Sequence, residues 1–402
     1  MYAKDMSAMT VREITDNIFA VGVIDWHRAV FDELIPLPDG TTYNAYVIRG
    51  AEKTALVDTS DPGKEEEFIT NLMRLGIGSI DYVVVNHAEQ DHSGALPLIL
   101  ELFPMATVLA TPKGRELLTY LLQVPGERIR VVDDGETIPL GGKTLEFLHA
   151  PWVHWPDTML TYVPEDRVLF SCDLFGAHYA TSDLFVADER VLYEPAKRYY
   201  AEIMMPFRNS IKKHMERISG LDISFIAPSH GPVHADPSFI LDAYRDWISD
   251  NVKNEVVVPY VSMHGSTEKM VDYLVEALME RGITVRPFNT GNADIGKLAM
   301  ALVDAATIVI ATPTVLFGPH PKIAYAAFLA NILKPKARSA TVIGSFGWGG
   351  KTVQDITGMV GNLKIDLIEP VYIRGLASGD DLRELDRVAD EILRRHREYG
   401  IA

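Results

Sequence analysis

The chain has 402 residues and a formal net charge of -17; 47% of its residues are apolar and 23% are charged. This length and balance indicate a globular protein of two domains and exclude a disordered chain. The single cysteine, Cys172, excludes a disulfide framework, and the acidic balance argues against nucleic acid and anionic membranes as partners. No apolar run approaches the length of a membrane span, so we expect a cytoplasmic protein without membrane segments.

A dense motif of potential metal ligands follows the apolar strand predicted at 81–85. It is a His-x-Glu-x-Asp-His sequence formed by His87, Glu89, Asp91 and His92. Alternation along an extended segment places the first three on one side, and His92 follows at a turn. So many imidazoles and carboxylates are costly to assemble unless a cation neutralises them. A solvated acidic loop with incidental histidines is the alternative, and the residues downstream argue against it.

Three further potential ligands stand where predicted strands end. His154 precedes Trp-Pro-Asp, Asp173 follows the strand predicted at 167–172, and His230 follows the strand predicted at 223–229. A rigid sheet can aim the loops at its edge toward one point, so we expect these side chains to join the first motif.

The sequence pattern changes near residues 250–252. A helical stripe at 238–249 precedes this point, and regular alternation of strands and helices follows it. Strands are predicted at 255–261, 283–288, 307–311, 339–343 and 367–373, and helices at 268–281 and 380–397. Such alternation implies a doubly wound parallel sheet with a ligand above the carboxyl ends of its strands. We therefore predict two domains, residues 1–252 and 253–402.

Three loops of the second domain carry the residues expected to bind that ligand. The loop after its first strand offers small hydroxyl residues and a glycine ahead of a helix, which suits a phosphate monoester. An ordinary helix N-cap is the alternative for this loop alone. The loops after the third and fourth strands carry aromatic residues on a backbone that contains glycine. The candidate binding residues are Ser262, Met263, His264, Gly265, Ser266 and Thr267, then Thr312, Pro313, Thr314, Val315 and Leu316, and finally Ser345, Phe346, Gly347, Trp348 and Gly349.

A nucleoside triphosphatase is a competing interpretation of Gly350, Lys351 and Thr352. These residues precede a predicted helix, as in a Walker A motif, but that motif requires glycine where this chain has Ser345. The loop also follows the fourth strand instead of opening a nucleotide-binding unit. No Gly-x-Gly-x-x-Gly sequence follows a strand, so a dinucleotide site is also unsupported.

The order of these motifs resembles one protein family. The first motif and the three ligands at strand ends resemble the metallo-β-lactamase fold, and Glu89 is typical of its flavodiiron branch, the A-type flavoproteins. Further matches lie at 40–46, 154–159 and 171–178, and the loops of the second domain resemble flavodoxin. The resemblance implies an α/β protein. An N-terminal metallo-β-lactamase-like αββα sandwich would be followed by a C-terminal flavodoxin-like doubly wound parallel sheet that binds FMN.

The resemblance also implies two irons per chain and a division of the ligands between them. The expected ligands are His87, Glu89 and His154 for one iron, Asp91, His92 and His230 for the other, and Asp173 as the bridge. His149 competes with His154, but only His154 lies in the matching motif. His178 is expected to lie beside the ligands as a pocket residue. Zinc hydrolases of this fold carry His where this chain has Glu89, and the added carboxylate without a thiolate favours iron or manganese over zinc.

The activity implied by the resemblance is that of an oxidoreductase. It would reduce O2 to water, NO to N2O, or both, at a non-haem diiron centre with electrons relayed through FMN. The expected electron donor is rubredoxin, a flavin reductase or reduced deazaflavin. A head-to-tail homodimer, or a dimer of such dimers, is expected because flavin loops in this family face the diiron site of the other chain. Two alternatives stay open: a zinc-dependent hydrolase of the same fold fused to a flavodoxin, and an electron carrier with an inert first domain.

Overall fold

The computed structural model describes residues 11–402, which form two compact units. The first unit comprises the described residues through Tyr200 together with Phe207–Ile248, and the second comprises Ala201–Pro206 and Ser249–Ala402. No helix in the described range is both long and apolar enough to cross a membrane.

The first unit alternates short strands and helices. Its strands are β1 (Arg12–Thr15), β2 (Ile18–Ala20), β3 (Val23–Asp25), β4 (Val30–Phe31), β5 (Ile35–Pro36), β6 (Thr41–Tyr43), β7 (Tyr46–Arg49), β8 (Thr54–Val57), β9 (Tyr82–Val84), β10 (Thr107–Ala110), β11 (Ile129–Val131), β12 (Thr137–Pro139), β13 (Thr144–His149), β14 (Met159–Val163), β15 (Val168–Cys172) and β16 (Phe225–Pro228). Its helices are α1 (Glu65–Arg74), α2 (Gln90–Ser93), α3 (Leu96–Leu102), α4 (Pro112–Leu121), α5 (Glu189–Tyr199), α6 (Arg208–Ile218) and α7 (Ser238–Ile248).

Two sheets pack face to face in this unit. The larger sheet has seven strands in the order β1-β2-β7-β8-β9-β10-β11, and the smaller has five in the order β12-β13-β14-β15-β16. Because neighbouring residues of a strand point to opposite faces, each strand of the larger sheet supplies two cores. Leu56 and Val83 join the core shared with α1, α3 and α4. Val57 and Val84 join the core between the two sheets. This layering confirms the metallo-β-lactamase-like sandwich.

The second unit alternates longer strands with helices. Its strands are β17 (Lys253–Tyr260), β18 (Thr284–Asn289), β19 (Ala305–Val315), β20 (Gly318–Pro319), β21 (Ser339–Phe346), β22 (Asp366–Leu367) and β23 (Val371–Arg374). Its helices are α8 (Ser266–Glu280), α9 (Ile295–Asp304), α10 (Pro321–Leu333), α11 (Thr352–Met359) and α12 (Gly379–Glu398). The main sheet is parallel in the order β18-β17-β19-β21, with β22 and β23 both on β21, which confirms the flavodoxin-like prediction.

Two details of this unit differ from the sequence prediction. The single strand expected at 367–373 is two short strands, β22 beside the start of β21 and β23 beside its end. Pro370 lies between them and has no N–H group for a sheet hydrogen bond. The strand expected at 307–311 runs on to Val315 and turns back into β20. Most of the residues expected in the second flavin loop therefore belong to a strand.

Candidate metal centre and flavin loops

The seven predicted metal ligands leave the sheets of the first unit at strand ends. β15 and β16 are parallel neighbours, so Asp173 and His230 emerge at the same edge. The first motif follows β9, but it is not extended throughout as expected. Glu89 is the last extended residue, and α2 begins directly after it. The change from strand to helix turns Asp91 and His92 away from the direction of His87 and Glu89.

The structure brings all seven residues together as two sets. His87, Glu89 and His154 form the first set, and Asp91, His92 and His230 form the second set. Asp173 groups with the first set, and also with His92 and Cys172; within each such group the potential ligand atoms lie within 4.8 Å of one another. His149 belongs to none of the groups found in residues 11–402. Its Nε2 atom lies 3.1 Å from the Val132 carbonyl oxygen instead.

All four imidazoles of the two sets present Nε2 to a carboxylate of the cluster. In the first set, Glu89 Oε2 lies 3.0 Å from Nε2 of His87 and 3.2 Å from Nε2 of His154. In the second set, Asp91 lies 3.3 Å from Nε2 of His92 through Oδ1 and 3.1 Å from Nε2 of His230 through Oδ2. Each set therefore has one carboxylate between two imidazoles.

Asp173 turns one oxygen toward each set. Its Oδ2 atom lies 3.4 Å from Nε2 of His154 and 3.8 Å from Nε2 of His87. Its Oδ1 atom lies 3.0 Å from Nε2 of His92 and 3.5 Å from Nε2 of His230. The Tyr199 hydroxyl donates to the same Oδ1 atom at 2.8 Å. This is the arrangement of a carboxylate between two adjacent metal positions.

The charges of the cluster favour cations. Burial by itself would lower the pKa of His87, His92 and His154, but nearby carboxylates outweigh burial and raise each pKa to about 10. Burial by itself would raise the pKa of Asp173, but His92 and His154 hold that pKa well below its usual range. Both oxygens of Asp91 and Oδ2 of Asp173 are buried and accept no hydrogen bond from the described residues. Orphaned carboxylate oxygens beside imidazole nitrogens fit hard or borderline divalent metals.

His178 lies next to the second set and in none of the metal groups. Its ring centroid is 4.8 Å from those of Tyr199 and His230, and 5.1 Å from that of Phe31. The Thr41 hydroxyl lies 2.8 Å from its Nδ1 atom. Burial holds the pKa of His178 well below its usual value, so the ring is neutral beside the cluster.

The first flavin loop lies between β17 and α8. Gly265 has φ of 83°, a left-handed conformation that glycine adopts without strain, and its N–H donates to the Ser262 hydroxyl at 3.1 Å. Thr267 is fully buried in the first turn of α8, and its hydroxyl has no partner among the described residues. A fifteen-residue helix whose start carries an orphaned hydroxyl fits the phosphate of FMN.

The other two loops flank this helix start with hydroxyl and aromatic groups. The Ser266 and Ser345 hydroxyls are 2.7 Å apart, which ties the first loop to the third. Phe317 and Trp348 meet edge to face with ring centroids 4.8 Å apart and are 68% and 60% exposed. Leu316 and Phe317 both have positive φ and form the turn that ends β19. An exposed aromatic pair beside a phosphate-binding loop fits an isoalloxazine ring.

Comparisons with known proteins show the family to which the chain belongs. The family model described as "ODP family beta lactamase" matches residues 41–231. The chain is 36% identical to a nitric oxide reductase of Moorella thermoacetica over 95% of this chain and 98% of that protein. The chain belongs to the flavodiiron family. It is 32% identical to a coenzyme F420H(2) oxidase of Methanothermobacter marburgensis, over 92% of this chain and 95% of the relative.

Solved structures agree over both units of this flavodiiron protein. The rubredoxin oxygen:oxidoreductase of Desulfovibrio gigas superposes with a TM-score of 0.93 at 29% identity, covering 98% of this chain and 100% of that one. The flavodiiron protein of Giardia intestinalis gives a TM-score of 0.89 at 27% identity, covering 99% and 98%. The predicted family, fold class and oxidoreductase class are therefore confirmed.

Sequence reasoning missed several residues around both sites of this flavodiiron protein. Beside the metal cluster these are Thr41, Tyr199 and Asp157, whose carboxylate lies 3.2 Å from Nδ1 of His87. In the second unit Tyr372 stacks on Phe346, and its hydroxyl is linked through Thr314 to Thr352 by two contacts of 2.7 Å. The Trp-Pro-Asp sequence was a signal for Asp157. Thr41 lies in the matching segment at 40–46, and no pattern in the sequence points to Tyr199 or Tyr372.

Proposed function

We propose that this flavodiiron protein holds about two irons and one FMN per chain and reduces O2 to water, with NO reduction to N2O as the related activity. Residues 1–252 form the iron-binding domain and residues 253–402 the FMN-binding domain. The observation that carries the proposal is Asp173, which turns one carboxylate oxygen toward each of two complete ligand sets. When bound, two ferrous irons and reduced FMN supply the four electrons that O2 reduction to two waters requires.

The proposed iron ligands follow the two sets. The first set would hold one iron, the second set would hold the other, and Asp173 would supply one oxygen to each. Three carboxylates, one in each set and one between them, offset most of the charge of two divalent cations. The ligand atoms of the two sets and of Asp173 are nitrogen and oxygen, and Cys172 belongs to neither set. This composition favours iron over zinc.

The residues around the cluster have separate tasks in this proposal. Tyr199 orients the bridging carboxylate through its hydrogen bond to Oδ1. Phe31 covers His178 and His230, so an apolar ring limits access of water to the second set. His178 is neutral and keeps Nε2 without a partner among the described residues, so it can hydrogen-bond a small substrate beside the cluster.

We propose that FMN binds at the three loops of the second unit. The start of α8 and the Thr267 hydroxyl receive the phosphate. Trp348 and the turn at Leu316 would hold the isoalloxazine. An external donor reduces the flavin, and the candidates are rubredoxin, a flavin reductase and reduced deazaflavin. Two relatives support the first and last of these, since their names specify rubredoxin and coenzyme F420H(2).

We also propose a head-to-tail homodimer as the smallest active unit. Each candidate cofactor site has large exposed apolar side chains beside it. In the second unit these are Phe317 and Trp348. In the first unit Trp26 precedes the β4–β5 hairpin that carries Phe31, and Leu34 lies in the turn of that hairpin. In a head-to-tail dimer the exposed apolar side chains of the second unit of one copy would pack against those of the first unit of the other copy. Both surfaces would then be buried, and the flavin of one copy would lie close to the irons of the other. Mixing an Asp173→Ala chain with a Trp348→Ala chain should restore part of the activity if subunits exchange, and no recovery despite exchange would contradict this arrangement.

The reaction is tested with fully reduced protein in the absence of O2. Adding one equivalent of O2 should release almost no hydrogen peroxide and oxidise both the flavin and the irons. Release of nearly one equivalent of peroxide would mean that the flavin reacts alone. Adding NO under the same conditions and measuring N2O ranks the two substrates. Elemental analysis that finds zinc in place of iron after iron-replete expression would overturn the redox function.

A further inference from the structure

The two ligand sets differ in the groups that lie next to the Nδ1 atoms of their imidazoles. In the first set, Nδ1 of His87 lies 3.2 Å from Oδ1 and 3.4 Å from Oδ2 of Asp157. In the second set, Nδ1 of His230 lies 2.6 Å from the backbone carbonyl oxygen of Thr42. Nδ1 of His92 is buried without a partner among residues 11–402. In the first set a carboxylate therefore contacts Nδ1 of a ligand histidine, whereas in the second set a neutral backbone carbonyl does so.

Asp157 is itself held in place. Its Oδ2 atom accepts the backbone N–H of Ala88 at 2.7 Å, so one carboxylate holds both the ring of His87 and the chain that follows it. The Thr111 hydroxyl donates to the Asp157 carbonyl oxygen at 2.9 Å and accepts the N–H of Gly114 at 3.0 Å. Asp157 is 2% exposed, which keeps other donors away from its carboxylate. These hydrogen bonds fix the orientation of the Asp157 carboxylate, which points toward His87.

This contact decides which nitrogen of His87 carries the proton. A carboxylate in this position only accepts hydrogen bonds, so the ring keeps its hydrogen on Nδ1 when metal binding displaces the other proton. The lone pair is then on Nε2, which faces Glu89 and Asp173. An anionic acceptor behind a metal-bound imidazole also makes that imidazole a stronger electron donor.

We propose that Asp157 is a positioning residue that makes the two metal positions unequal. The iron on His87, Glu89 and His154 is bound more tightly and is more easily oxidised than the iron on Asp91, His92 and His230. This inference rests on the proposed two-iron function, and it adds which position is the stronger. The neutral Thr42 carbonyl orients His230 in the same way without adding charge.

The test compares Asp157→Asn with a matched control, Asp134→Asn. Asp134 accepts the backbone N–H of His149 at 2.8 Å and lies outside both ligand sets, so it carries the same substitution beside a histidine that is not a ligand. Both variants are loaded with ⁵⁷Fe(II), and iron affinity is measured by competition with a chelator. Mössbauer spectra then report each iron separately.

We expect Asp157→Asn to weaken one of the two irons about 10- to 100-fold. Only one quadrupole doublet should shift, and the midpoint potential of that iron should rise because a negative charge has been removed. Asp134→Asn should leave both doublets and both affinities as in the wild type. Equal weakening of both irons would show that Asp157 only supports the fold and would overturn the inference.

Two further outcomes separate this inference from the proposed function. Two irons with unchanged spectra and affinities in Asp157→Asn would refute the positioning role and leave the proposed function standing. A wild-type chain that takes up no iron would refute both. If Asp157→Asn does not fold, Asp157→Glu keeps the charge but displaces it by one methylene. That variant should still shift one doublet alone, and a shift of both or of neither would contradict the inference.

Discussion

The metal cluster of the first unit and the flavin loops of the second are organised in opposite ways. The cluster is almost completely buried: His87 is 0% exposed, and Asp173 and His230 are similarly enclosed. In the flavin loops, Met263, Phe317 and Trp348 are largely exposed. The cluster is held by ion pairs between distant parts of the chain, whereas the loops are held mainly by hydroxyl pairs such as Ser266 and Ser345.

The difference follows from what each site has to bind. A small cation requires several ligand atoms at one point, so the side chains must converge before the metal arrives. A flavin offers a large flat ring and a phosphate, so backbone N–H groups and a few aromatic side chains suffice. Substitutions in the cluster should therefore abolish binding, and substitutions in the loops should only weaken it.

The largest expected effect is the loss of both irons in Asp173→Ala. Because one carboxylate faces both ligand sets, its removal deprives each of a ligand, and iron content should fall from about two per chain to nearly none. FMN content should be unchanged, since the flavin loops belong to the other unit. Elemental analysis measures the iron content, and the absorbance of the released flavin measures the FMN content. His149→Ala is the control and should keep both irons; loss of iron there would mean that His149, and not His154, is the ligand.

A large pH dependence of iron binding is expected next. The pKa of His87, His92 and His154 is about 10 in the metal-free protein, so each ring holds a proton at neutral pH that iron must displace. Each displaced proton makes iron affinity fall up to about tenfold per unit as the pH is lowered. Glu89 and Asp173 have lowered pKa values and stay ionised, so they add no such dependence. Chelator competition between pH 6 and pH 8 measures how iron affinity depends on pH, and an affinity that does not change with pH would contradict the prediction.

A moderate effect is expected for Thr267→Val in the flavin loops. The substitution removes a buried hydroxyl at the start of α8 with little change in volume, and loss of one hydrogen bond to a charged phosphate should weaken FMN about tenfold. Iron content should not change. FMN fluorescence titration of the flavin-free protein gives the affinity. Thr357→Val, in α11 of the same unit, is the control and should bind FMN as the wild type does.

The smallest effect concerns a buried polar network at the opposite end of the parallel sheet. His396 is 0% exposed, and its ring nitrogens contact Thr307 and Asn254 at 2.8 and 2.7 Å. Burial lowers its pKa to about 4 from 6.5, so the unfolded chain takes up the proton first. As the pH is lowered from about 6.5 to about 4, the free energy of unfolding should fall by up to about 1.4 kcal/mol per pH unit.

Urea unfolding of the wild type and of His396→Gln at pH 7 and pH 5 measures this contribution. The variant should be less stable at pH 7 but should lose less stability on acidification. An equal loss in both proteins would show that His396 does not titrate in this range. A smaller loss of stability in the variant would show that the second unit has a buried polar network of its own. The solvent exposure seen in this unit would then be confined to its flavin loops.

Local patterns were sufficient for the sheet of the second unit, whereas the sandwich of the first unit was predicted from the family resemblance. The alternation of strands and helices after residue 252 predicted the doubly wound sheet, since apolar period and turn residues act over short distances. The prediction was wrong at 367–373, where Pro370 interrupts the strand, and at 312–315, where β19 continues into the predicted loop. In both places the pairing with β20 or β21 decides the strand boundary, and pairing is not visible in a short window of sequence.

The sequence by itself determined which seven side chains converge, because each is a potential ligand at a strand end and a sheet edge collects such ends. It also predicted three flavin loops, the first from a glycine and hydroxyl residues before a helix and the other two from aromatic residues, although most of the second belongs to β19. Only the tertiary structure decided that Asp173 faces both sets, that Tyr199 supports it and that Asp157 backs His87. Those contacts join residues that are 26 and 70 positions apart. Their geometry depends on how layers pack, which no local pattern encodes.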